Sequence, residues 1–207
     1  MTNDDWGNDI PAPEVLQAKG AKLEKAASLI IEALGEEAGR EGLLETPRRF
    51  REMFLADFSV NGSPEKALEE MIIKEETFDQ MILVRNVPIH GHCEHHLLPW
   101  AGLAGIAYIP NDNTVGLSKI TRLVEAASRG LTIQERVTEK IASALVSVLE
   151  PQGVQVVVEA RHMCTLMRGV RAERQTMTTS IAKGVFRDNP ETRMEFLTLW
   201  SRTDPAL

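Results

Sequence analysis

Apolar residues recur at helical spacing over the first part of the chain and cluster at strand-like density further on. From about Glu14 to Glu37, Val15, Leu16, Ala18, Leu23, Ala26, Ala27, Leu29, Ile30 and Leu34 predict one amphipathic helix, ending near Gly35, for packing or oligomerisation. Glu45-Thr46-Pro47 reads as a second helix start, with Thr46 as N-cap and Pro47 at the first helical position. That helix runs to about Phe58, with Phe50, Met53, Phe54 and Leu55 on its apolar side. Ser63-Pro64 opens another, through about Lys74. Met81 to Val87 reads as a strand. Leu103 to Ile109 reads as a second, closed by Pro110 and the turn residues Asn111-Asp112-Asn113. The two suggest a hairpin whose connection holds the segment between them. A helix opens at Leu117-Ser118, with Ser118 as its N-cap. After the Gly130-Leu131-Thr132 break, Ile133 to Leu149 forms another, with Val137, Ile141, Leu145 and Val148 facing the core. Val154 to Ala160 is a buried strand, Thr176 to Ile181 a further one, and Glu191 to about Trp200 a final helix. Helices first, then two strand pairs separated by two helices, make an α+β chain. The expected organisation is a loosely attached tail over 1–13, a helical region over 14–78 and a catalytic domain over 79–207.

Composition narrows the classes. The chain has 207 residues and a net charge of −7, which argues against general nucleic-acid binding but leaves room for a local basic pocket that takes a nucleotide. No apolar run approaches the ~18–20 residues of a membrane helix. The acidic start, Met1-Thr2-Asn3-Asp4-Asp5-Trp6, lacks the basic and apolar regions of a signal peptide, so a cytoplasmic location is expected. Two cysteines are too few for a disulfide framework.

The distribution of those cysteines carries the chemistry. Four of the five histidines and one cysteine fall in Pro88-Ile89-His90-Gly91-His92-Cys93-Glu94-His95-His96. The remaining histidine and cysteine stand together in His162-Met163-Cys164. One site built from two segments accounts for this. Cys93 and His96, spaced i, i+3, share one side of a helical turn or tight loop, and Cys164 would complete a Cys-His-Cys set for Zn2+. Three protein ligands leave a fourth position for water, whose proton is then lost near neutral pH. His95 and His162 are candidates for proton transfer. Two other readings stay open here: small buried cysteines with a surface histidine pair, and a closed structural zinc with His95 or His162 as fourth ligand. A zinc deaminase would need a Cys-x-x-Cys pair, which the chain lacks.

Six segments in this order resemble GTP cyclohydrolase I: Cys93-Glu94-His95-His96-Leu97-Leu98-Pro99, Ile106-Ala107-Tyr108-Ile109-Pro110, Gly116-Leu117-Ser118-Lys119-Ile120, Gln134-Glu135-Arg136-Val137-Thr138, His162-Met163-Cys164 and Arg168-Gly169-Val170. The likeness runs from about Glu41 to Leu199. It implies a T-fold, an antiparallel sheet with two packed helices, plus an N-terminal helical extension. It also implies a homodecamer with active sites shared between subunits, and hydrolysis of GTP to formate and 7,8-dihydroneopterin triphosphate, the entry step to folate or other pterins. By the same resemblance, Arg49, Lys119, Arg122 and Arg168 hold the triphosphate. Gln134 and Glu135 meet the guanine, Ser118 serves the later sugar rearrangement, and His95 and His162 move protons beside the zinc. Gly105, Gly130 and Arg174-Gln175-Thr176 depart from the family's common residues (histidine, arginine and a Ser-Lys-Thr type run). A non-catalytic zinc-binding T-fold oligomer, or a related enzyme acting on another purine or pterin, is the alternative expectation.

Overall fold

Two helices account for the smaller of two units into which the chain divides, at Asn61 and Gly62. The computed structural model describes residues 12–58, 63–69, 72–74 and 78–201; most of the tail expected over 1–13 lies outside them. In the N-terminal unit, α1 (Pro13–Ala33) and α2 (Thr46–Asp57) each carry a proline in the first turn, where its missing N–H costs nothing. Gly20, Ala27 and Ile31 are the buried residues of α1. A Cβ at Gly20 would stand 2.9 Å from Arg51 Cδ, so the glycine lets the two helices approach. Arg51 Nη1 pairs with Glu24 Oε1 across them at 2.7 Å. Phe50, Phe54 and Phe58 stack along α2, with centroids 4.2 and 4.0 Å apart. Thr46 is not the cap expected from the sequence. Glu45 occupies that position, and no side chain caps the helix.

The larger unit begins with α3 (Pro64–Glu69), which packs on two later helices, and β1 (Ile72–Ile73). The helix expected to reach Lys74 therefore stops early, and Ile72–Ile73 pair instead with β4 (Thr114–Val115). The main sheet has the order β5-β2-β3-β6-β7: β5 (Leu131–Thr132), β2 (Ile82–Cys93), β3 (Pro99–Ile109), β6 (Gly153–His162) and β7 (Met177–Gly184). All neighbours are antiparallel except β5, which runs parallel to β2 at His92↔Leu131 and Cys93↔Thr132.

The hairpin is longer than its sequence suggested. β2 continues through Pro88 and the His-Gly-His run to Cys93, and β3 already starts at Pro99. Pro88 and His90 sit on the exposed face while Val87 and Ile89 are buried, the alternation of a one-sided strand. A bulge between Val84 and Val87, with Asn86 at φ 55, adjusts the register.

Helices α4 (Leu117–Ser128) and α5 (Gln134–Leu149) pack on one sheet face. The N-cap of α4 is Gly116, so Ser118 lies inside the first turn rather than capping it. Trp100, Ile106, Tyr108, Leu123, Ile141, Leu145 and Leu149 are fully buried in this layer. Each large apolar side chain withdrawn from water contributes roughly 1.5–3 kcal/mol. After β6 comes α6 (Met163–Leu166), and after β7 come α7 (Val185–Asp188) and α8 (Pro190–Trp200). Asn189 caps α8 by accepting from the Glu191 and Thr192 amides. Phe186, Phe196 and Trp200 cover the opposite sheet face, packing on Ala107 and Val157. A Cβ at Gly105 would run into the Trp200 ring. The fold is α+β, as expected. Among the described residues no helix is long and apolar enough to cross a membrane.

Candidate active site

β2 and β6 both run antiparallel to β3, so both finish at the end where β3 begins. That topology brings the two histidine–cysteine segments together, with His162 paired opposite Trp100. The turn after β2 is closed by the Cys93 amide donating to Leu98 O and the Leu97 amide donating to Cys93 O, both at 2.9 Å. Leu97 holds φ 57, a left-handed backbone that a leucine rarely adopts. On this turn Cys93 Sγ lies 3.8 Å from His96 Nδ1 and 3.7 Å from His95 Nδ1. Cys164 comes from the short helix that follows β6.

Ligand atoms of Cys93, His96 and Cys164 all lie within 4.8 Å of one another, close enough for one ion to touch all three. Neither His95 nor His162 belongs to that group, which argues against a closed four-ligand site. Two thiols and an imidazole are a donor set that suits zinc. Burial, then the Cys93 thiol alongside, pushes the Cys164 thiol above its ordinary value, while the Arg168 guanidinium acts the other way. A dication at the site reverses that balance by favouring both thiolates.

A cavity of ≈ 380 Å³ opens beside this group, lined by Cys93, His95, Gln134, Glu135, His162 and Cys164 among others. Glu135 is exposed at the N-terminal turn of α5. Burial pulls the His162 imidazole below its ordinary value, against the Glu135 carboxylate, which favours the charged ring. The His162 ring stacks on Trp100, with centroids 5.6 Å apart and planes 18° from parallel. Its Nε2 lies 2.8 Å from Gln134 Oε1. Gln134, expected at the guanine, is only 1% exposed and has both polar ends of its side chain engaged within the protein.

The remaining expected residues lie outside that lining. Ser118, Lys119 and Arg122 project from α4, and Lys119 is buried. Arg168 is exposed just beyond α6, and Arg49 is exposed on α2 of the N-terminal unit. Thr132, Thr165, Gln175, Thr176 and Met177 also line the cavity, and none of them was expected at the site. Gln175 and Thr176 come in because β7 starts beside the end of β6, at Met177↔Ala160. Their one sequence signal was the departure noted at Arg174-Gln175-Thr176. Glu94 pairs with Arg136 Nη1 at 2.9 Å, linking the turn after β2 to the first turn of α5.

The family model of GTP cyclohydrolase I matches residues 23–201. A GTP cyclohydrolase 1 of Chlorobium chlorochromatii is 46% identical over 178 residues, covering 86% of this chain and 79% of the relative. One from Streptococcus thermophilus is 43% identical over 180 residues, covering 86% and 95% respectively. One from Campylobacter jejuni is 46% identical over 180 residues, covering 86% and 94%. Among solved structures, the archaeosine synthase QueF-Like in the apo form aligns with 54% of this chain and 97% of its own, at 12% identity and a TM-score of 0.42.

Proposed function

Because the chain belongs to the GTP cyclohydrolase I family, we propose that it hydrolyses GTP to formate and 7,8-dihydroneopterin triphosphate, at the cavity between the ends of β2 and β6. The observation that carries this reading is the convergence of Cys93, His96 and Cys164 on one point beside a cavity that His95, His162 and Glu135 also line. Cys93, His96 and Cys164 would hold the zinc, which when bound supplies a Lewis acid able to activate water near neutral pH.

The chain's own residues do the rest. The Glu135 carboxylate accepts hydrogen bonds from the N1–H and the 2-amino group of guanine, an edge of two donors that adenine does not offer. His162, held on Trp100, transfers a proton to the imidazole ring of the base as that ring opens. His95, on the metal turn, assists proton transfer at the formyl group. Ser118 serves the later sugar rearrangement. Arg49, Lys119, Arg122 and Arg168 hold the triphosphate as charge-assisted anchors, which fixes the base relative to the metal.

The triphosphate anchors bear on assembly. Among the described residues, the cavity lining contains neither lysine nor arginine, yet a bound triphosphate needs several positive partners. A site shared between copies of the chain supplies them. The apolar surface left on α1, with Leu29, Ile30 and Leu34 exposed, offers a place for such copies to meet. A homodecamer is expected on the family pattern. Light scattering on the eluting protein checks it, and a single-chain particle that turns over GTP at full rate would overturn the shared-site reading. A cytoplasmic location goes with a nucleotide substrate and with cysteine ligands kept reduced.

The test of function is incubation of zinc-loaded protein with GTP, following formate and the ultraviolet absorbance of a dihydropterin. One formate per dihydropterin is expected. Stoichiometric zinc with unchanged GTP would leave a non-catalytic zinc protein, or an enzyme for another purine or pterin.

A further inference from the structure

Gln134 stands where its neighbour Glu135 suggests a substrate contact, but its side chain is turned into the sheet. Its Nε2 lies 2.9 Å from Val158 O, 3.0 Å from Met177 O and 3.1 Å from Thr179 Oγ1. Two of these are backbone carbonyls, which can only accept. The amide therefore cannot be flipped without setting its oxygen against two other oxygens.

The hydroxyls around it have fixed directions as well. Thr138 donates its one proton to Gln134 O at 2.8 Å. Thr179 Oγ1, 2.6 Å from Thr138 Oγ1, must then donate to Thr138. That leaves Thr179 with only lone pairs for the Gln134 amide. Every hydrogen in this small network is accounted for, and Oε1 of Gln134 is left facing His162 Nε2 at 2.8 Å. An amide oxygen accepts and never donates, so His162 Nε2 carries the hydrogen.

We propose that Gln134 is a positioning residue that locks His162 as its Nε2–H tautomer on the Trp100 ring, leaving Nδ1 as the nitrogen through which the proton is exchanged. The lock is preformed: Gln134 is held by strands β6 and β7, and it orients the imidazole before any substrate arrives. This rests on the reading of His162 as a proton-transfer group. It assigns to Gln134 no contact with the guanine.

The first test reads the unaltered network. In zinc-loaded protein carrying ¹⁵N-histidine, His162 is assigned by comparison with His162→Asn, and its neutral ring is read by magic-angle-spinning NMR. A hydrogen on Nε2 and a bare Nδ1 are expected; a hydrogen on Nδ1 overturns the proposal. The second test is Gln134→Met, which keeps the length of the side chain and removes both polar ends. Mixed tautomers are expected, with kcat for GTP lowered about tenfold or more, KM within about twofold of the parent and zinc content unchanged. A raised KM at unchanged kcat would make Gln134 a substrate ligand and overturn the proposal. Should Gln134→Met fail to fold, the wild-type spectrum still decides the tautomer. Full turnover by His162→Asn would remove the proton-transfer reading, and the catalytic half of this proposal with it, whatever tautomer the spectrum shows.

Discussion

Cys164→Ala is expected to strip the protein of zinc and to lower formate release from GTP by more than about a thousandfold, to near the uncatalysed level. The remaining pair, Cys93 and His96, sits on one turn and would bind an ion far more weakly than three converging donors. Loss of a mere outer-sphere partner already costs about 10–100-fold in affinity, and loss of a ligand costs more. The fold should survive, because Cys164 is half-exposed on a four-residue helix at the edge of the core. Zinc content by atomic absorption, formate release, and thermal unfolding of the metal-free forms together make the check. Retention of one zinc per chain by the variant would remove Cys164 from the ligand set.

The second large effect is expected at His162. His162→Ala should keep its zinc but lose about 10²–10⁴-fold in kcat, the usual contribution of a positioned acid or base. Metal and proton transfer separate here because His162 stands outside the three-ligand group and is tied instead to Gln134 and Trp100. Single-turnover measurement with GTP, beside metal analysis of the same sample, distinguishes the two roles. Zinc lost along with activity would make His162 a ligand and would contradict the geometry described above.

Much of this was legible in the chain, and the reasons are physical. Cysteine and histidine are few, so their gathering into two segments already implied one site, and the three ligand candidates do converge. The long helices were readable because apolar periodicity over ten or more residues leaves few alternatives. The end of β2 was not readable. Pro88, His90 and Gly91 look like a loop, and only pairing with Leu103, Ala101 and Trp100 keeps them extended. The parallel strand β5 is two residues long and has no pattern of its own. Gln134 illustrates a deeper limit. In the first turn of a helix, residues 134 and 135 both line the cavity, yet Gln134 is buried with its amide held by the sheet while Glu135 is exposed, and spacing alone does not say which is which. Thr46 and Ser118 were misplaced as caps because both have the right chemistry one or two positions beyond where the backbone turns. Gly130, one of the departures from the family's usual residues, finds its reason in a φ of 85°, where an arginine would be strained.

Gly105 and Trp200 lie far apart in the chain, yet they share one volume, since any side chain at 105 would enter the space that the indole fills. The residue at 105 is thus settled here by one near the other end of the sequence. The two sites can drift only as a couple. A chain that takes a side chain at 105 must, at once, move or replace the indole. Grafting segments between this chain and a relative would cross that constraint unless β3 and α8 were exchanged together.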